Sequence, residues 1–209
     1  MRTKGTGFIL AGLVLILAAL GLSIYNTREA DSAMESASAA MEIISAQLPT
    51  QPEPGETLPE GDFPQLQPDY VLYPNIEMPV ANVNGRDFVA ALSIPALNLE
   101  LPVISQWSYP DLRFAPCRYL GSAYTDDLII MAHNYASHFG GIKNLRPGDS
   151  VQLTDMDGNL FSYEVVELET LDGTAVEDME SGDWDLTLFT CTYGGRSRVT
   201  VRCERTDTK

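Results

Sequence analysis

The chain has 209 residues, of which 44% are hydrophobic and 9% aromatic, and its formal net charge at pH 7 is -16. This hydrophobic content is typical of a chain that folds, so the composition excludes wholesale disorder. The negative charge disfavours nucleic-acid binding, because a protein that binds phosphate groups needs a positive surface. The length favours one core domain with accessory segments.

The first accessory segment is an uncharged stretch of nineteen residues from Gly7 to Tyr25. At about 1.5 Å per helical residue, its length is close to the roughly 30 Å hydrocarbon thickness of a bilayer. No small-x-small cleavage site follows it, which favours an uncleaved anchor over a signal peptide. Arg2 and Lys4 precede it, so the positive-inside rule predicts a cytoplasmic N-terminus and an extracellular remainder. We therefore expect residues 1–28 to anchor a single-pass protein in the cell membrane through residues 7–25.

Residues 29–79 are expected to be an extracellular stalk and linker. The part up to residue 48 is rich in Ala, Ser, Met and Glu, which predicts a short helix. Eight of the thirteen prolines lie between residues 49 and 79, and this composition favours extended chain. The segment PDYVLYPNI, residues 68–76, is either part of this spacer or a flap that folds back onto the globular domain.

Residues 80–209 form the predicted globular domain. Short apolar runs alternate with turns, which is typical of an all-β barrel or sandwich. A single short helix is predicted between His138 and Leu145. The predicted strands are Phe88–Ile94, Leu99–Ile104, Leu128–His133, Ser150–Thr154, Leu160–Leu168, Asp185–Cys191 and Arg198–Glu204.

The last two predicted strands carry a candidate nucleophile and a cation. Because side chains alternate along a strand, Cys191 shares a face with Phe189 and lies opposite the face of Leu188. Six residues separate Cys191 from Arg198. A connection of this length predicts a hairpin in which the two side chains are neighbours. A guanidinium favours the thiolate and can donate hydrogen bonds to an oxyanion.

A proton-transfer group for this thiol is predicted at His133, where the apolar run LIIMAHN ends. Together with the cysteine and the arginine it predicts acyl transfer. Arg196 and Arg202 are alternatives for the cation, and an inert buried Cys191 is the non-catalytic alternative. A zinc site that combines His133, His138 and Cys191 is disfavoured, because these residues lack the spacing of paired zinc ligands.

Five segments carry a family resemblance: LSIPALNLELPV, AHN at His133, LRPGDSVQL, LTLFTC at Cys191 and RVTV at Arg198. Across about residues 88–205 they resemble the sortases, membrane-anchored cysteine transpeptidases of mainly Gram-positive bacteria. The resemblance implies an eight-stranded β-barrel with one or two short helices. It also implies cleavage of a C-terminal sorting signal through a thioacyl intermediate, followed by transfer to an amine of the cell wall or of a pilin.

The resemblance also assigns roles to residues. It implies that Cys191 is the nucleophile, that His133 is first the acid for the leaving amine and then the base for the incoming one, and that Arg198 stabilises the oxyanion or positions the substrate. Asn134 and Thr190 are expected to contact the substrate. Two other functions stay open: a catalytically silent, membrane-tethered adhesin or scaffold, and a cysteine peptidase that releases its product to water.

The sortase class is predicted to be class B-like or unassigned. No Asp-Pro-aromatic lid motif precedes the domain and no second membrane span follows it, which disfavours class C. The pair His133 and Asn134 resembles class B, although the connection from Leu171 to Asp185 is shorter than the helical insertion of typical class B enzymes.

No cofactor is expected. An acidic loop could bind calcium, as an equivalent loop does in some class A sortases, but a solvated loop is favoured because no fixed ligand spacing is present. Its acidic residues are Glu177, Asp178, Glu180, Asp183 and Asp185. If Cys191 is free, Cys117 and Cys203 are the one possible disulfide pair, and two buried thiols are the alternative.

Overall fold

The computed structural model describes residues 3–49 and 67–207. Nine strands form its sheet: β1 Ala81–Val83, β2 Arg86–Ile94, β3 Leu99–Ile104, β4 Cys117–Leu120, β5 Leu128–Ala132, β6 Ser150–Asp155, β7 Leu160–Asp172, β8 Leu186–Cys191 and β9 Ser197–Arg205. The strands follow the order β1-β2-β3-β4-β5-β8-β9-β7-β6, and β6 pairs back to β2. Strands β2 to β9 therefore close into the expected eight-stranded barrel, and β1 is added beside β2.

All seven predicted strands are present, and two further strands were not predicted. The first is β1, which forms a hairpin with β2 through Asn84 and Gly85. Their φ angles are +52° and +80°, as the tight turn of a two-residue hairpin requires. The second is β4, which pairs with β3 through Cys117 and with β5 through Cys117, Arg118 and Leu120. Without β4 the barrel would not close.

In the described parts of the chain, four α-helices accompany the barrel: α1 Thr3–Gln47, α2 Asp69–Leu72, α3 Tyr109–Leu112 and α4 Val176–Glu180. Two short 3-10 helices cover Pro95–Leu97 and Phe139–Asn144. The second of these lies where the single short helix is predicted.

Helix α1 continues without a break from the apolar segment into the predicted stalk. Among the described residues it is the one helix long and apolar enough to cross a membrane, and none of its most apolar stretch is buried against the described part of the protein. The part beyond Tyr25 differs from a free stalk. Ala33, Ala37, Ala40 and Ile44 are all buried against the barrel, at a spacing of three and four residues that places them on one helix face. The proline-rich part of the predicted linker, residues 50–66, lies outside the described residues.

The segment after residue 67 adopts the flap arrangement. Tyr70 of α2 stacks on Tyr124 with 4.7 Å between ring centroids. Met78 is buried in the main core cluster. Aromatic stacking and apolar burial thus hold the segment against the barrel.

The interior of the barrel explains the state of the cysteines. Cys203 lies in the main core cluster and Cys117 lies in a second cluster with Phe88 and Ile104. Both thiols are free, and burial raises the pKa of each to about 12. Of the two predicted states, a disulfide or two buried thiols, the structure has the two buried thiols, because β5 and β8 separate β4 from β9.

The outer face of β9 differs from the exposed polar face that strand alternation predicts. Arg202 is only 2% exposed. Its guanidinium donates to the carboxylate of Glu169 at 2.7 Å and to the carbonyl oxygen of Met179 at 2.8 Å. Helix α4 covers this position. Arg202 therefore belongs to a buried hydrogen-bond network and is not available as the cation beside Cys191.

Candidate active site

The register of three neighbouring strands brings the predicted His, Cys and Arg together. Strand β5 runs parallel to β8, and Ala132 lies opposite Thr190. The residues that follow these two are His133 and Cys191, which are therefore neighbours. Strand β9 runs antiparallel to β8, and its Arg198 lies directly opposite Cys191. Cys191 is therefore flanked by His133 on one side and by Arg198 on the other.

All three side chains belong to the outer face of the barrel. Leu188 and Ile130 point into the main core, so by alternation Phe189 and Cys191 point outward. Cys191 is exposed, whereas His133 and Arg198 are half-buried. A thiol that is accessible between a half-buried imidazole and a half-buried guanidinium is suited to nucleophilic chemistry.

Backbone hydrogen bonds fix the loop that follows His133. The N–H of Phe139 donates to the carbonyl oxygen of His133 at 3.1 Å, and the N–H of Gly140 donates to that of Tyr135 at 2.9 Å. A Cβ atom on Gly140 would lie 2.7 Å from the carbonyl oxygen of Asn134. The loop can pack this closely because glycine has no side chain.

The turn between β8 and β9 is fixed in the same way. The N–H of Thr192 donates to the carbonyl oxygen of Ser197 at 2.8 Å, and that of Gly195 donates to Thr192 at 2.9 Å. Gly194 and Gly195 have φ angles of +83° and +69°, which glycine adopts without strain. This turn holds the thiol of Cys191 and the guanidinium on adjacent strands.

Arg198 has donor capacity that the described residues do not use. Its Nη1 atom is buried and has no hydrogen-bond partner within residues 3–49 and 67–207. The guanidinium carbon lies 5.7 Å from the centroid of the Phe189 ring, which is within the range of a cation–π contact. A buried donor without a partner is costly, so a substrate oxygen bound here would relieve that cost.

His133 is the titratable base of this site. Burial lowers its pKa below the ordinary value of 6.5; the carboxylate of Glu29 acts in the opposite direction, and the guanidinium of Arg113 lowers it further. Its ring lies 5.0 Å from that of Tyr135. At neutral pH the imidazole is therefore mostly neutral and able to accept a proton from a thiol.

The second histidine, His138, is separated from solvent. It is 1% exposed, and burial lowers its pKa from 6.5 to about 4. An imidazole with this environment stays neutral over the physiological range and does not exchange protons with a substrate. Of the two histidines, His133 is the one available for chemistry.

The environment of His138 leads to a prediction about stability. The unfolded chain binds a proton at this residue below about pH 6.5, whereas the folded chain does so only near pH 4, so stability present above pH 6.5 is lost as the pH falls. We expect this loss to reach about 3 kcal/mol. The measurement is denaturation of the full chain in detergent, followed by tryptophan fluorescence at pH 7.5 and pH 4. In His138→Gln the pH dependence should be smaller by that amount; equal pH dependence in both proteins would contradict the assignment.

A cavity of about 310 Å³ opens beside Cys191. Its lining includes Asn134 and Thr190, the two residues expected to contact the substrate, together with Phe139 and Tyr193. The hydroxyl of Thr190 donates to the carbonyl oxygen of Ala132 at 2.7 Å. This bond ties β8 to β5, so the hydroxyl itself is already used within the barrel.

A larger cleft of about 550 Å³ lies on the same outer face, between β4 and the flap. Trp107 and Tyr119 line it, and Tyr119 contacts Phe189 edge-on with 5.6 Å between ring centroids. Because Phe189 is two residues before Cys191 on the same strand face, a row of aromatic rings leads from the cleft to the thiol. Sequence reasoning missed this row, since Tyr119 belongs to the unpredicted strand β4.

The acidic loop between β7 and β8 is partly engaged in structural contacts. Glu180 accepts a hydrogen bond from the hydroxyl of Tyr119, and Asp185 accepts one from the N–H of Arg205, each at 2.7 Å. Within residues 3–49 and 67–207 no group of His, Cys, Asp or Glu side chains is arranged to hold a metal ion. A solvated acidic loop without calcium stays the prediction.

Comparison with known proteins decides the family. A family model described as the sortase domain matches residues 92–206, more than half of the chain. The chain belongs to the sortase family. No curated protein matches this sortase.

Three solved structures share the fold at low sequence identity. Sortase C of Streptococcus pneumoniae is 24% identical, has a TM-score of 0.53, and the match covers 61% of this chain and 72% of that one. Sortase D5 transpeptidase of Clostridium perfringens is 18% identical, with a TM-score of 0.52 and coverages of 66% and 94%. Sortase A of Listeria monocytogenes is 23% identical, with a TM-score of 0.51 and coverages of 57% and 88%. These likenesses show the barrel, and the class stays a prediction.

Proposed function

We propose that this sortase is a membrane-anchored cysteine transpeptidase whose nucleophile is Cys191. The observation that carries the proposal is the register of β5, β8 and β9, with Cys191 between His133 and Arg198 on one accessible face. In the family, such enzymes cleave a sorting signal of a surface protein and transfer the protein to an amine.

In the first half-reaction the proton of the Cys191 thiol moves to the imidazole of His133, and the sulfur attacks the threonine carbonyl carbon of the sorting signal. Arg198 donates hydrogen bonds to the oxyanion that forms. The carbon–nitrogen bond then breaks, and His133 passes its proton to the leaving amine. The product is a thioacyl group on Cys191.

In the second half-reaction an incoming amine attacks the thioacyl carbon. His133 now accepts a proton from the amine, Arg198 again stabilises the oxyanion, and the carbon–sulfur bond breaks. The proton on His133 returns to the Cys191 sulfur, so the enzyme is unchanged and the new amide bond holds the surface protein. The amine belongs to the cell wall or to a pilin lysine.

The cleft between β4 and the flap, called here the aromatic cleft, is the proposed binding site of the sorting signal. Its row of rings, Trp107, Tyr119 and Phe189, offers apolar surface that leads directly to the thiol. The cavity on the other side, lined by Asn134 and Tyr193, is open to the thiol for a second substrate. A transferase needs both approaches, because the acyl donor and the amine must each reach the same sulfur.

The proposed arrangement in the cell follows the charge pattern. Residues 1–28 are a cytoplasmic tip and membrane anchor, residues 29–79 are the extracellular connection, and residues 80–209 are the catalytic domain. Arg2 and Lys4 before the apolar segment support a cytoplasmic N-terminus.

The test of transfer against hydrolysis is the dependence of the product on an amine. The full chain in detergent is incubated with sorting-signal peptides and increasing concentrations of a glycine peptide or a lysine derivative. A transpeptidase yields an amide product that replaces the hydrolysed peptide as the amine concentration rises. A peptidase would yield the same hydrolysed product at every amine concentration, and a scaffold would yield no product.

Arg198 gives a prediction that separates charge from geometry. Arg198→Gln removes the cation opposite Cys191, and we expect the acylation rate to fall by about 10²- to 10³-fold. Arg198→Lys keeps the charge but loses the planar pair of donors, so we expect an intermediate loss. Single-turnover acylation of the two variants checks this. Arg196→Gln, in the turn two residues earlier, is the control and should acylate at the wild-type rate; equal losses in all three variants would contradict the assignment.

A further inference from the structure

We propose that Glu29, which the membrane-anchor helix supplies, is a positioning residue for proton transfer by His133. The proposal rests on the proposed function only for the role of His133. It makes the anchor part of the active site rather than a tether alone.

The first step is that α1 docks against the barrel beside the active-site loop. Its buried face, formed by Ala33, Ala37, Ala40 and Ile44, holds the helix in a fixed position. At the membrane end of this face the hydroxyl of Ser137 donates to the carbonyl oxygen of Ala30 at 3.4 Å. Because Ser137 belongs to the loop that follows His133, the docked helix and the imidazole are held in one local structure.

The second step is the placement of the Glu29 carboxylate. It pairs with Arg113 at 3.3 Å from Oε1 to Nε, and its side chain is 25% exposed. Tyr135 lies beside it, and burial together with the Glu29 carboxylate raises the pKa of Tyr135 to about 12. The ring of Tyr135 in turn lies 5.0 Å from that of His133. A carboxylate, a phenol and an imidazole thus follow one another from α1 to the active site.

The third step is the balance of charge at His133. Burial and the guanidinium of Arg113 disfavour its charged form, and the carboxylate of Glu29 favours it. The remaining neighbours are the neutral imidazole of His138 and the phenol of Tyr135 from the same loop, together with the thiol of Cys191 and the cation of Arg198 from the neighbouring strands. Since the proposed cycle requires His133 to take a proton from the thiol and hold it until the amine leaves, a carboxylate that favours the imidazolium assists the first transfer.

The position of Glu29 along α1 links this contact to the membrane. It lies four residues beyond Tyr25, where the uncharged segment ends, which is about 6 Å along a helix. The headgroup region on each side of a bilayer is of similar depth. Because the barrel docks on α1, His133 is held close to the membrane surface, and the same helix supplies the Glu29 carboxylate.

The experiment uses the full chain in lipid nanodiscs. The protein has two histidines, so nitrogen NMR of histidine-labelled protein follows each imidazole through a pH titration. In Glu29→Gln we expect the titration of His133 to move to lower pH and that of His138 to stay unchanged. Glu35→Gln changes an exposed carboxylate on the same helix, and it should leave both titrations unchanged.

Arg113→Gln distinguishes a charge effect from loss of the helix contact. Both Glu29→Gln and Arg113→Gln break the Glu29–Arg113 ion pair, but they remove charges of opposite sign. We therefore expect Arg113→Gln to move the His133 titration to higher pH. Glu29→Asp keeps the carboxylate, so its His133 titration should return toward that of the wild type. A shift of the same sign in both glutamine variants, or none in Glu29→Gln, would overturn the proposal.

Activity adds a second readout. At pH 7, Glu29→Gln should lower the acylation rate by about three- to tenfold, because the imidazole of His133 becomes a weaker base for the Cys191 thiol. If no variant and no wild-type protein forms a thioacyl group while the titrations move as expected, the proposed function fails and the link between Glu29 and His133 stands.

Discussion

Cys191→Ala is expected to lose thioacyl formation altogether, with a fall in acylation rate of at least about 10³-fold. No other described thiol can replace it. Cys117 and Cys203 are buried, and burial raises the pKa of both to about 12, so neither forms a thiolate at neutral pH. The loss is measured by single-turnover acylation with a sorting-signal peptide.

Alkylation of the wild-type protein gives the matched control. In the folded protein, iodoacetamide should modify one cysteine, Cys191, since it is the exposed thiol, and activity should disappear in step with that modification. After unfolding, three cysteines should react, because all three are free. Residual acylation in Cys191→Ala, or full activity after alkylation of Cys191, would contradict the assignment of Cys191 as the nucleophile.

His133→Gln is expected to lower the acylation rate by about 10²- to 10⁴-fold with a peptide substrate. The reason is specific: the leaving amine of an amide needs a proton, and His133 is the half-buried imidazole that directly follows β5, the strand beside that of Cys191. An activated ester of the same peptide has a leaving group that needs little protonation. We therefore expect a much smaller loss with the ester than with the amide.

The comparison between the two substrates decides the role of His133. Equal losses with the amide and the ester would show that the residue does not act as the acid. His138→Gln is the control for the loss of any imidazole, since His138 is buried, and it should acylate both substrates at rates close to those of the wild type.

Strand periodicity predicted the parts of the fold that bring the site together. Alternation in Asp185–Cys191 and the length of the following connection predicted that Cys191 and Arg198 are neighbours, and the register of β8 and β9 confirms it. The motifs at His133 and Cys191 supported the family, and the closed barrel followed from it. The roles of the individual residues stay predictions.

Two strands, β1 and β4, were not predicted from the sequence, for different reasons. Strand β1 has only three residues, but the Asn84–Gly85 pair before Arg86 is a strong hairpin signal that could have identified it. Strand β4 reads CRYL and follows a proline, and four residues are too few to show a strand pattern. Because Tyr119 belongs to β4, the aromatic cleft was missed with it.

Tertiary contacts account for the remaining differences. Alternation placed Arg202 on an outer face, which is correct, but it does not show that α4 covers that face. An alanine-rich helix such as residues 29–47 reads as a stalk because small side chains carry a weak apolar signal. Ala37 is nevertheless buried in the main core cluster. Which surface covers such a residue depends on chain segments that are distant in sequence.

The most direct test of the account is the intact mass of the full chain after incubation with a panel of sorting-signal peptides, with Cys191→Ala as its control. We expect a thioacyl adduct that increases the mass by that of the cleaved peptide fragment, disappears on addition of an amine and is absent in the control. A folded protein with a reactive Cys191 that forms no adduct with any peptide, or an adduct that persists in Cys191→Ala, would contradict it.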